Sequence, residues 1–70
     1  PGRGIAIKTQ YAWDQQFKSK INVVYGNEWS AGNLSYHLKS RPVWEGFIER
    51  KKLDQLKDYM CLDNVCVGSK

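Results

Sequence analysis

The sequence has little of what most dedicated chemistries require. Its 70 residues hold two cysteines, one histidine, one methionine and two prolines, and no segment repeats or falls into low complexity. One cysteine pair and a distant His37 fall short of the four ligands of a structural zinc site, so no metal is expected. The glycine and lysine spacings of a P-loop or a dinucleotide fingerprint are missing, and no cofactor is expected. Long hydrophobic runs are missing too. The longest uncharged stretches reach only about ten residues and carry Asn, Ser and Gly, whereas a bilayer span needs about twenty apolar ones. No initiator Met or signal-peptide pattern precedes Pro1-Gly2-Arg3-Gly4, and that abrupt start reads as a fragment of something longer.

What is present fits one small domain over residues 1–70. The apolar fraction of 41% is too high for a disordered tail. A chain this short buries only about 60% of the surface its unfolded form exposes, so its core is marginal. Eleven Lys and Arg against seven Asp and Glu give a net charge of +4. The basic residues fall in three groups, Lys18 with Lys20, Lys39 with Arg41, and Arg50-Lys51-Lys52. Glu49 and Asp54 bracket the last, as on a solvated helix face. A nucleic-acid binder would gather such residues in one stripe. Nucleic acid is therefore not the expected partner.

The chain reads as alternating helix and strand. Residues 5–18 have helical spacing, with Ala6, Trp13 and Phe17 on one side and Ile7 and Tyr11 beside them. Ile21-Asn22-Val23-Val24-Tyr25, closed by Gly26, is the clearest strand. Ser30 is a good N-cap for a second helix to about Lys39, with Ala31, Leu34 and Leu38 as its buried stripe. Arg41-Pro42 ends it, and Val43-Trp44-Glu45 extends into a second strand. A third helix is expected over residues 49–59, with Leu53, Leu56 and Met60 inward. For the tail, either Asp63-Asn64 is a hairpin turn or Val65-Cys66-Val67 is a third parallel strand. The alternation favours the parallel reading. The expected fold class is α/β, a small αβαβαβ domain of two or three layers around a short, mainly parallel three-stranded sheet.

Two regions carry candidate chemistry. Cys61 and Cys66 either face each other across a hairpin as a disulfide or lie buried as small hydrophobic thiols. The stretch from Gly26 to Asn33 lies between a strand end and a helix start, where α/β sheets bind ligands. Asn27, Glu28 and Asn33 supply hydrogen-bonding groups and Trp29 a flat apolar face, a combination suited to sugar recognition and equally to a packed, capped loop. Tyr36, His37 and Arg41 follow closely. No nucleophile or carboxylate is spaced to partner His37, so it reads as a structural donor. Arg41, extended before Pro42, is expected to pair with Glu28 or to hold an acidic ligand. Trp13, Trp29 and Trp44 read as core or semi-core.

The run GNEWSAGNLSYHLKSRPVW, from Gly26 to Trp44, resembles a segment near the C-terminus of certain bacterial membrane glycosyltransferases. These belong to the dolichyl-phosphate-mannose protein mannosyltransferase and aminoarabinose-transferase-like superfamily, especially its alphaproteobacterial and marine members. The likeness extends back through Trp13-Asp14 to Pro1-Gly2 and forward to Val65-Cys66-Val67-Gly68. At position 27 this chain has Asn where those enzymes often carry Asp. The resemblance implies an accessory domain on the periplasmic face of the inner membrane, packed on the transmembrane portion of its parent protein. The parent would transfer sugar from a polyprenyl-phosphate donor with an acid that lies outside these residues. The chain itself is then expected to be non-catalytic, with Asn27, Glu28, Trp29, Asn33, Tyr36, His37 and Arg41 as a surface for a sugar or polyprenyl-phosphate head group. The competing expectation is a stand-alone nucleic-acid-binding or protein-interaction module, the latter as a homodimer that hides spare aromatic surface.

Overall fold

A computed structural model describes residues 2–70. In chain order the elements are α1 (Gly2–Gln16), β1 (Val23–Gly26), α2 (Glu28–His37), β2 (Val43–Trp44), α3 (Arg50–Leu53), β3 (Asp58–Leu62) and β4 (Val65–Ser69). The α/β class is as expected, but the sheet is not. It has four strands in the order β2-β1-β4-β3. Only β1 and β2 run parallel, while β4 is antiparallel to both β1 and β3.

The difference traces to the last third of the chain. The helix expected over residues 49–59 stops at Leu53, and Lys57 N–H already donates to the Ser69 carbonyl at 2.9 Å. Asp58–Leu62 then pairs along β4. Two residues, Asp63 and Asn64, make the connection, and a link this short joins only antiparallel neighbours. Asp63 adopts φ 53°, the left-handed value that tight hairpin turns need and that Asp tolerates. The parallel third strand is thus replaced by a hairpin.

Alternation along the strands divides the core. Val24, Val65 and Val67 pack with Ala6 and Trp13 of α1, with Ala31 and Leu34 of α2, and with Ile21 and Leu38. Val23, Tyr25 and Cys66 pack instead with Leu53, and Leu56 and Tyr59 close over them. The α2 stripe is the one its spacing predicts. The inner face of α1 is narrower, being Ala6, Thr9 and Trp13, while Ile7 and Tyr11 point to solvent. Trp13 is fully buried, and its indole N–H donates to the Ser19 carbonyl at 2.6 Å, which fixes the turn from α1 towards β1. Burying each such large side chain contributes about 1.5–3 kcal/mol. Trp44 is half-buried and donates to the Gly26 carbonyl at 2.8 Å, tying β2 to the end of β1. Among the described residues, no helix is long and apolar enough to cross a membrane.

Candidate functional site

The carboxyl end of β1, the start of α2 and the tip of the β3–β4 hairpin meet at one place. Gly26 holds φ 149°, and a Cβ there would lie 2.9 Å from both the Asn64 carbonyl oxygen and Val65 Cγ1, so only glycine lets the tip approach. Asn27 follows in extended conformation, and its side-chain oxygen accepts from Ser30 N–H at 2.8 Å. Asn27, not Ser30, is therefore the N-cap, and α2 begins earlier than its sequence suggests. Glu28 lies in the first helical turn, where a carboxylate opposes the positive end of the helix dipole.

The groove lining then separates the remaining candidates. Trp29, Asn33 and His37 recur every fourth residue and share one side of α2. The Asn33 amide donates to the Trp29 carbonyl at 2.9 Å. Trp29 is 80% exposed, which corrects its reading as core or semi-core. Tyr36 meets His37 edge-on at 5.0 Å and carries the Arg41 guanidinium over its ring at 5.0 Å. Arg41 is not extended but left-handed, with φ 48°. Pro42 disfavours the right-handed helical region for Arg41, and the Arg41 side chain lies on Tyr36 instead of Glu28.

Trp29, Asn33 and His37 line an open groove of about 570 Å³ together with Arg3 of α1 and Asp63 and Asn64 of the hairpin tip. Of the seven residues singled out from sequence, these three come together. Asn27 and Glu28 are taken up by the helix start, and Tyr36 and Arg41 form a separate stack. Sequence reasoning missed Arg3, Asp63 and Asn64. The hairpin reading of Asp63-Asn64 held the available signal, because pairing β4 against β1 carries that turn to Gly26. The groove offers one flat indole ring among amide, imidazole, guanidinium and carboxylate groups. Such a lining stacks on an apolar ring face and bonds hydroxyls or an anionic substituent. Among the described residues, no cluster of His, Cys, Asp or Glu is arranged to hold a metal ion.

Cys61 and Cys66 are opposite each other in the hairpin, with Cα atoms 4.0 Å apart, and are joined by a disulfide. Cys66 is buried against the α3 side of the sheet and Cys61 is exposed. The bridge staples the same hairpin whose tip walls the groove. No protein-family model matches this sequence, and no curated protein or solved structure was found similar to it.

Proposed function

We propose that the chain is a non-catalytic recognition domain that holds a sugar, or the sugar-phosphate head of a lipid-linked donor, in the groove between α1, α2 and the hairpin tip. The observation that carries this reading is Trp29, a large aromatic ring 80% exposed at the groove beside Asn33, His37, Arg3 and Asp63. Leaving an indole in water forgoes about 1.5–3 kcal/mol of burial, an arrangement a small domain tolerates where a partner covers the ring. The resemblance read from residues 26–44 points to the same ligand class, although no family model or similar protein was found to match the chain. It also supports a place beside a transmembrane portion at the periplasmic face, where the domain assists substrate binding while catalysis resides elsewhere in the parent protein.

Titration of the ¹⁵N-labelled chain with monosaccharides, sugar 1-phosphates and a short-chain polyprenyl phosphate tests it. Amide shifts at Trp29, Asn33, His37 and Asp63-Asn64 that vanish in Trp29→Ala are expected. Absence of shifts at those residues for every ligand would overturn it. A second reading, a protein-interaction module, draws on a different apolar surface around β2, where Val43, Phe47 and Ile48 are all exposed. Sedimentation at two concentrations tests that reading, which requires self-association sensitive to Phe47→Ser.

A further inference from the structure

A second groove, of about 920 Å³, lies between α1 and the C-terminal end of α2. Sequence separates its charges, but the fold unites them. Lys18 and Lys20 come from the α1–β1 link, Lys39 from the end of α2 and Arg3 from the start of α1. Asp14 is the single carboxylate among its lining residues, and its side chain accepts from the Gln10 amide at 2.9 Å. Against this cationic rim stand Ile7 and Tyr11, one turn apart on α1 and 65% and 69% exposed. The third basic group, on α3, covers the opposite side of the sheet and offsets itself locally through Arg50–Asp54 and Lys52–Glu49 pairs. Two of the three α3 cations are thus offset locally, whereas the three lysines and Arg3 of this groove face one carboxylate.

We propose that this face docks on an anionic phospholipid surface, with Ile7 and Tyr11 entering the head-group region and Lys18, Lys20 and Lys39 meeting lipid phosphates. Protruding aliphatic and aromatic side chains ringed by lysine are the pattern of interfacial attachment. A nucleic-acid strand fits this lining less well. It would find one ring to stack on, because Tyr36 is already occupied by Arg41 and Trp29 faces the other groove. Ile7 would gain nothing from a polynucleotide. The residues that meet the lipid, Ile7, Tyr11, Lys18, Lys20 and Lys39, lie outside the Trp29 groove, with which this lining shares Arg3 and His37, and Trp29→Ala leaves the docking unchanged.

Co-sedimentation with phosphatidylcholine vesicles, with and without about one-third phosphatidylglycerol, is the test. Binding to the anionic vesicles alone, weakening as salt rises, is expected. Each lysine near an anionic surface accounts for roughly a five-fold gain in partitioning, so Lys18→Glu with Lys20→Glu weakens binding by at least about 25-fold. Ile7→Ser with Tyr11→Ser also weakens it, whereas Arg50→Glu with Lys51→Glu on the far face does not. Equal binding to both vesicle types, equal loss in the far-face variant, or tighter binding to a single-stranded oligonucleotide than to anionic vesicles at the same salt overturns the proposal. So does no binding at all.

Discussion

Reducing the Cys61–Cys66 bridge opens the one covalent closure of the hairpin that walls the Trp29 groove. The two residues are separated by 5 positions, so the bridge restricts a very short loop in the unfolded chain. The loop-entropy relation assigns such a closure about 2 kcal/mol. At the usual stability per residue, a domain of this length holds about 4–10 kcal/mol in total. The reduced protein therefore stays folded, while its folded-to-unfolded ratio falls roughly 30-fold. Packing changes little, because Cys66 sits among Val23, Tyr25 and Leu53 and a free thiol there remains a small hydrophobe. Urea unfolding with and without reductant, followed by tryptophan fluorescence, reads the effect. With a denaturant slope of about 1 kcal/mol per molar, the midpoint drops by about 2 M. The melting temperature falls by about 8–16 °C. A midpoint change below about 0.5 M would refute the loop argument, because the unfolded chain would then hold its hairpin without the bridge. Outright unfolding on reduction would refute it from the other side.

Three further outcomes follow from the packing. The Thr9 hydroxyl is fully buried and finds no hydrogen-bond partner among the described residues, so Thr9→Val raises stability by about 1 kcal/mol in a urea melt. Gly68→Ala places a Cβ 2.5 Å from Leu56 Cδ1 and 3.1 Å from the Asp58 carbonyl oxygen. Calorimetry should show a loss of about 1–3 kcal/mol, partly recovered by Leu56→Ala. Burial, then the Glu45 carboxylate, raises the Tyr25 phenol above its ordinary value of 10.0. The hydrogen bond and charge of Glu45, 2.6 Å away, outweigh desolvation and raise the Lys70 ammonium in the same sense. A folded state that keeps these protons longer than the unfolded one has their full contribution below about pH 10 and loses it as pH rises beyond. Urea midpoints should therefore decline across the alkaline range, and less so in Tyr25→Phe.

The parts of the fold legible in the sequence were those where local signal and tertiary demand agree. The α2 stripe of Ala31, Leu34 and Leu38 and the strand around Val23-Val24-Tyr25 are both apolar for the reason their spacing implies. Leu53, Leu56 and Met60 share a helical stripe over too few turns to decide anything. The ladder to β4 claims Met60 for the α1–α2 side of the sheet while Leu53 stays on the other. Ser30 and Asn27 are both competent caps, and the choice falls to Asn27 because pairing of Gly26 with Val65 ends β1 there. Helical spacing set Ile7 and Tyr11 beside Ala6, Trp13 and Phe17, yet both are exposed. The inner face of α1 has room only for Ala6, Thr9 and Trp13, and Trp13 alone fills much of it.

The site was legible in part for a geometric reason. Seven residues between positions 27 and 41 were grouped by nearness in sequence, and a helix distributes such neighbours around its axis. Of these, Trp29, Asn33 and His37 share the groove, and their complement comes from chain segments that sequence proximity cannot supply. Arg3 and His37 line both grooves, so the two proposed surfaces meet at those side chains. A guanidinium binds one anion well through its planar fork, and an anion engaged in one groove withdraws Arg3 from the other. Under the two proposals, a phosphate-bearing ligand in the Trp29 groove and a lipid phosphate at the opening of the basic groove would therefore oppose each other, by the same factor in each direction. A neutral sugar, held by Trp29, Asn33 and the hairpin tip, makes no such demand on Arg3. If both proposals hold, anionic vesicles should weaken binding of a sugar 1-phosphate and leave binding of the neutral sugar unchanged, and an equal effect on both would refute the sharing of Arg3.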